Sequence, residues 1–145
     1  PHPSTATTTR PHGEPGSWAD RACPAAAPGC GVRGGGSEAA YQTRHTAREP
    51  IPLEATSAEL NKQWTLSMAR TSAPASATSE FFVNLVDNKN LDPTGPNTGY
   101  AVFGKVVSGF ETITAMTKVA PGASFGAGGF YPKVPIVILH AARVA

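Results

Sequence analysis

Long hydrophobic runs are missing from this chain. No stretch approaches the ~20 apolar residues that cross a bilayer, which argues against a membrane helix. Cysteine is scarce: Cys23 and Cys30, with six residues between them, are the whole complement. His12 and His45 stand at the wrong spacing to complete a zinc site with them, so free thiols and no metal are expected, with a disulfide as the alternative. A strong charge bias is missing too. The formal net charge is +2 and the pI about 8.8. Arg44, Arg48, Arg70, Lys89, Lys105 and Lys118 are scattered and form no basic tract for nucleic acid. No GxxxxGK(S/T) follows Gly34-Gly35-Gly36, so that triplet reads as a flexible turn rather than a phosphate cradle. The N-terminus has neither a basic-then-apolar leader pattern nor an initiator Met. The chain therefore reads as processed or as a fragment, with the cytoplasm as its expected location.

What is present is unevenly distributed along the 145 residues. Residues 1 to about 47 are rich in Pro, Gly, Ala, Thr and Ser and hold no apolar run at either structural period. Pro1, Pro3, Pro11, Pro15, Pro24 and Pro28 remove backbone donors, and Gly13, Gly16 and Gly29 raise the entropy lost on ordering. Such a segment buries too little apolar surface to offset that entropy. Residues 1–31 are accordingly expected to be irregular, and clear hydrophobic blocks begin at Ile51.

Trp64, Leu66 and Met68 alternate with Thr65 and Ser67, which predicts a strand over 64–69 with one face buried. Phe81-Phe-Val-Asn-Leu-Val86 is rich in beta formers and predicts a second strand over 80–86. Residues 87–99 are nearly all turn formers and predict a long surface loop. Tyr100 to Val107 is a third strand, in which Gly104 suggests a bulge or a close backbone approach. Ser108 and Glu111 have the spacing of a capping box, opening a short helix over 109–117. Ala120 to Phe130 reads as a glycine-rich loop, and 134–144 as a closing beta segment with Pro135 near its start. The fold class is mainly β, an antiparallel barrel-like sheet with one short helix.

Three blocks carry a resemblance. They are Leu66-Ser-Met-Ala-Arg-Thr-Ser-Ala-Pro-Ala-Ser-Ala-Thr-Ser-Glu-Phe-Phe-Val-Asn-Leu, Leu91-Asp92, and Gly99-Tyr-Ala-Val-Phe-Gly-Lys-Val-Val-Ser-Gly109. In order, they are similar to bacterial-type cyclophilins, which share a Met-Ala-Arg-Thr strand end, a Ser-Ala-Thr-Ser-Gln-Phe-Phe turn and a Gly-Tyr-Ala-Val-Phe-Gly-Lys-Val strand. Upstream, Gly34-Gly35-Gly36 and Arg48-Glu49-Pro50-Ile51 resemble the family's Gln-Gly-Gly-Gly and Arg-Glu-Pro-Ile. The likeness covers 32–145 and implies a partial cyclophilin-like barrel that lacks its front strands. Counting back from Gly34 places the family's Ile-Pro-Gly-Phe-Met-Ile-Gln on Ala27 to Arg33, so two apolar pocket residues become Cys30 and Gly31. The family's catalytic arginine falls on Ala25. No catalytic residue is therefore assigned. A frame-shifted coding region or a diverged N-terminus would each explain a match that fails upstream.

The family turns X-Pro peptide bonds between cis and trans, in protein folding. That rotation faces a barrier of ~18–20 kcal/mol, breaks no bond, and needs no cofactor. It asks for an apolar grip on the proline ring, polar groups for the flanking carbonyls, and a donor for the amide nitrogen as its lone pair returns. The resemblance implies that Phe82 floors the proline pocket, that Leu91 and Tyr100 wall it, and that the backbone of Ala69 and Arg70 binds the peptide. Glu80 stands where the family has Gln, Asn90 where it has an aromatic, and Arg33 where it has a Gln that supports the arginine. Each has a plainer reading: Phe82 as core, Tyr100 as edge packing, Glu80 and Arg70 as solvated charges. Arg10, Arg21 and Arg33 are set aside as replacement donors because none lies on a predicted rigid element. The implied partners are proline-containing peptides and unfolded protein chains. The expected function is an X-Pro isomerase homologue with impaired activity. The alternatives are a non-catalytic proline-peptide binder and a non-functional truncated or frame-shifted product.

Overall fold

Beta-forming blocks set between turn formers pair into antiparallel sheets in the computed structural model, which describes residues 21–22, 25–27, 31–34, 37–38, 49–124 and 130–141. In chain order the strands are β1 (Arg21–Ala22), β2 (Ala25–Ala27), β3 (Gly31–Gly34), β4 (Ser37–Glu38), β5 (Thr65–Met68), β6 (Phe81–Asn84), β7 (Val102–Lys105), β8 (Pro121–Ser124), β9 (Phe130–Pro132) and β10 (Val137–Ile138). A 3-10 turn spans Lys89–Leu91 and one helix, α1, spans Phe110–Met116. The main sheet has the order β2-β3-β6-β5-β7; β10-β1-β4 form a second sheet and β8-β9 a third. β9 lies against β2.

Among the described residues the buried apolar side chains are Val32, Met68, Ala69, Ala77, Val83, Ala101 and Val102. Val83 on β6 faces Val32 on one side and Leu66 on the other. The expected one-sided alternation of β5 is corrected, because Ser67 is fully buried at 0 % exposure. Its hydroxyl donates to Asn61 Oδ1 at 2.7 Å and accepts from Asn84 Nδ2 at 3.1 Å. A buried polar group is tolerated when it is partnered in this way, and here a polar layer covers the face that alternation assigns to water.

That layer also anchors the loop at 87–99. Asn61 Nδ2 donates to the carbonyls of Leu91 (2.9 Å) and Tyr100 (3.3 Å). Asp92 Oδ1 accepts from the Asn61 backbone N–H at 2.6 Å and from Nδ2 at 3.1 Å. Asn88 Nδ2 donates to Asn84 Oδ1 at 2.7 Å. The loop is thus a strut with Asn88 and Asp92 buried, not a wholly surface segment.

The bulge expected near Gly104 is present: Leu66 pairs with Gly104 and Ser67 with Val102, leaving Phe103 as the extra residue. At the other end of β5, Trp64 has a φ of 68°. Its N–H donates to Asn84 O at 2.7 Å and its carbonyl accepts from Val106 at 2.8 Å. Its ring meets Phe110 of α1 edge-on, with centroids 4.9 Å apart.

Four expectations are corrected. Residues 21–22, 25–27 and 31 are strand, although 1–31 is expected to be irregular. Long-range pairing with β3, β4 and β10 overrides poor local propensity there. Residues 1–20, with Cys23, Cys30, His12 and His45, lie outside the described set. The capping box does not form: Gly109 is the N-cap and no side chain caps the helix. The Ala120–Phe130 loop contains β8, paired to β9 through Pro121 with Pro132 and Ser124 with Phe130. Of the expected closing strand over 134–144, the described residues to 141 hold only Val137–Ile138 as strand, with Val134 and Leu139 largely exposed at 70 % and 83 %; 142–144 lie outside the described residues.

Candidate functional site

An open cavity of about 380 Å³ lies on one face of the main sheet. β3 contributes Gly31 and Arg33, the end of β5 contributes Ala69 and Arg70, and β6 contributes Phe82. Leu91, from the 3-10 turn, and Tyr100, just before β7, complete the lining. Five residues singled out from the sequence, Ala69, Arg70, Phe82, Leu91 and Tyr100, are therefore brought together. Glu80 is not in the lining, but it forms an ion pair with Arg33, which is. Asn90, the middle residue of that turn, is exposed and does not line the cavity.

Phe82 and Tyr100 meet edge to face, with centroids 5.7 Å apart and planes at 80°, an arrangement aromatic rings prefer. The Arg70 guanidinium carbon lies 4.6 Å from the centroid of the Tyr100 ring. Arg70 Nε and Nη2 both donate to Gly99 O, at 3.1 and 2.8 Å. Nη2 also donates to Thr98 Oγ1 at 3.0 Å, and Nη1 to Thr71 O at 2.9 Å. Arg70 thus clamps the segment that presents Tyr100. Gly99 is required at that point: its φ is 68°, and a Cβ there would lie 2.5 Å from Pro93 N.

On the opposite wall, Arg33 is the Cα partner of Phe82 across β3 and β6, and of Ala25 across β2 and β3. Partial burial lowers the Arg33 guanidinium from its ordinary value, an effect opposed by Tyr131 and Tyr100. An arginine stays charged at neutral pH regardless. Arg33 is the cavity residue that sequence reasoning set aside for want of a rigid element, and the structure corrects that reason: β3 is paired on both sides. The available signal was that positions 33 and 80 depart together, Arg for Gln and Glu for Gln.

The arrangement suits a small apolar ring held against Phe82, Leu91 and Tyr100, with cationic groups at its rim. Among the described residues, no three His, Cys, Asp or Glu side chains converge as metal ligands.

Comparison with known proteins agrees in kind. The family model described as "Cyclophilin type peptidyl-prolyl cis-trans isomerase/CLD" matches residues 20–142. A peptidyl-prolyl cis-trans isomerase of Acinetobacter baylyi is 42% identical over 108 residues, covering 74% of this chain and 56% of the relative. Peptidyl-prolyl cis-trans isomerase B of Escherichia coli is 41% identical over 110 residues, covering 74% of this chain and 66% of the relative. The chain thus spans between about half and two thirds of the length of these relatives. In structure it is similar to a cyclophilin-type isomerase of Cryptosporidium parvum crystallised in the presence of the dipeptide Ala-Pro. The TM-score is 0.68 and the identity 19%, over 90% of this chain and 78% of that one. At that identity the likeness speaks for the fold alone.

Proposed function

We propose, from the premise that this chain belongs to the cyclophilin-type peptidyl-prolyl cis-trans isomerase family, that it binds proline-containing segments of peptides and unfolded chains and rotates their X-Pro bonds, more slowly than longer relatives. The observation that carries this reading is the convergence of Phe82, Leu91 and Tyr100, from three separate segments, on one open cavity. A pyrrolidine ring is apolar and compact, and burying it against these side chains supplies the grip. Just past β5 the Ala69 N–H is bound to Glu80 O at 2.9 Å, which leaves the Ala69 carbonyl and the backbone of half-buried Arg70 to meet the flanking residues. The reaction itself moves no atoms between molecules, so positioning and electrostatics are the whole of the catalyst's task.

The slowness follows from position 25. There the family's donor falls on an alanine, and losing one preorganised donor costs ~10²–10³ in rate in a well-studied comparison. That alanine also favours a second reading, a proline-peptide binder without catalysis. Exchange NMR on a short Xaa-Pro peptide separates the two, since one spectrum series reports both binding and cis-trans exchange. Phe82→Ala should weaken peptide binding by more than about tenfold, the loss of roughly 1.5–3 kcal/mol of apolar contact. Undiminished binding by a folded Phe82→Ala protein would place the proline pocket elsewhere.

A further inference from the structure

We propose that Arg33 is the catalytic donor of this chain: its guanidinium, held by Glu80, faces the cavity and donates to the amide nitrogen of the X-Pro bond as that bond twists. The proposal rests on the isomerase reading and names the group that performs it. Positions 25, 33 and 82 form one row across β2, β3 and β6, since Arg33 is the Cα partner of both Ala25 and Phe82. Directly opposed residues of an antiparallel pair project to the same face and stand ~4.5–5.5 Å apart at Cβ. A long side chain leaving position 33 therefore commands the space in front of position 25. Where the sequence offers an alanine, the neighbouring strand offers a guanidinium.

Arg33 also meets the demands of a preorganised donor. β3 is an interior strand, hydrogen-bonded to β2 and β6, so its backbone is fixed. The ion pair with Glu80, 47 residues away in sequence, fixes the far end of the side chain. A guanidinium carries five N–H groups in a planar fork, and one carboxylate takes at most two of them side by side, so Glu80 does not exhaust it. The other cavity arginine is differently employed. All three nitrogens of Arg70 donate to Gly99, Thr98 or Thr71. No covalent bond forms or breaks in the step. As the peptide bond leaves planarity its nitrogen recovers a lone pair, an N–H of Arg33 donates to it, and the bond returns to planarity in the other isomer.

The test is exchange NMR on an Xaa-Pro tetrapeptide with the full chain and two variants, Arg33→Gln and Arg33→Lys, with circular dichroism to report folding. Arg33→Lys keeps the charge and can still pair with Glu80, but loses the fork. Expected for both variants is a fall in exchange rate at saturation of about 10² or to the spontaneous rate, with the peptide Kd moving by less than about threefold. If the unmodified chain accelerates exchange and both folded variants stay within about threefold of it, Arg33 is a structural residue and the proposal is overturned. The proposal is equally overturned if Arg33→Lys matches the unmodified chain while Arg33→Gln unfolds. If the unmodified chain binds the peptide without accelerating exchange, the isomerase reading falls first, and that result is distinct from the other two.

Discussion

The two walls of the cavity are built by different means. The wall made of Leu91 and Tyr100 stands on buried polar groups: Asn61 holds both of their carbonyls and Asp92 holds Asn61. The wall made by β3, which β2 flanks, presents Gly31 and Arg33 to the cavity. It is held by strand pairing and by the ion pair of Arg33 with Glu80. A loop rich in turn formers thus becomes a support held by side chains, while the opposite wall is held by its backbone ladder. Support here comes from buried side-chain hydrogen bonds on one wall and from strand pairing on the other.

The largest effect expected from breaking that contrast is at Asn61. Truncation to Ala leaves the carbonyls of Leu91 and Tyr100, the Asp92 carboxylate and the Ser67 hydroxyl short of partners in a buried setting. At ~1–3 kcal/mol for each group left unsatisfied, partly relieved by relaxation, Asn61→Ala should lose roughly 3–5 kcal/mol in urea unfolding. A loss below about 1 kcal/mol would show that the loop is held by something other than this network. On the β3 wall, a Cβ at Gly31 would stand 2.8 Å from Val83 O, a backbone atom with little room to retreat. Gly31→Ala should therefore cost about 1–3 kcal/mol and lower the melting temperature. An unchanged melting temperature would mean that β3 and β6 part easily enough to admit the methyl, against the fixed backbone that Arg33 requires. The smallest effect lies outside both walls, at Asp87, which accepts from the Gln63 N–H at 2.9 Å and from Lys62 Nζ at 3.3 Å. These partners, the Gln63 N–H foremost, hold the Asp87 carboxyl below its usual range. A lowered folded pKa gives stability that is full above the unfolded value near ~3.9 and fades as pH falls through the folded one. Asp87→Asn should thus lose a little stability at pH 7 and nothing at low pH, with peptide binding unchanged at both. An equal loss at both pH values would assign the effect to geometry rather than charge.

The sequence discloses the elements whose signal is local. Strands β5, β6 and β7 follow from runs of beta formers, and α1 from its 3.6-residue spacing, because period and propensity are properties of neighbours in the chain. What pairing at a distance creates is hidden. β8 is Pro-Gly-Ala-Ser, with no beta propensity of its own, and β2 is three alanines next to a Pro-Gly turn sequence. Ser67 is misread because alternation presumes that one face of a sheet meets water, and here that face meets Asn61 and Asn84. Within the cavity, the apolar lining is legible through motif order alone. The Arg33–Glu80 pair is not, since two departures 47 residues apart read as separate losses until the fold sets them side by side.

Trp64 at the joint of sheet and helix gives the molecule an optical consequence. The chain has two tryptophans, Trp18 and Trp64, and Trp64 is not part of the cavity lining. With Trp18 changed to Phe, emission would come from one indole wedged between the start of β5 and Phe110. Lifting α1 from the sheet admits water to that ring and moves its emission to the red, whereas a peptide entering the cavity does not touch it. Fluorescence would therefore follow the docking of the helix by itself, in the same tube in which NMR follows the turning of the proline bond.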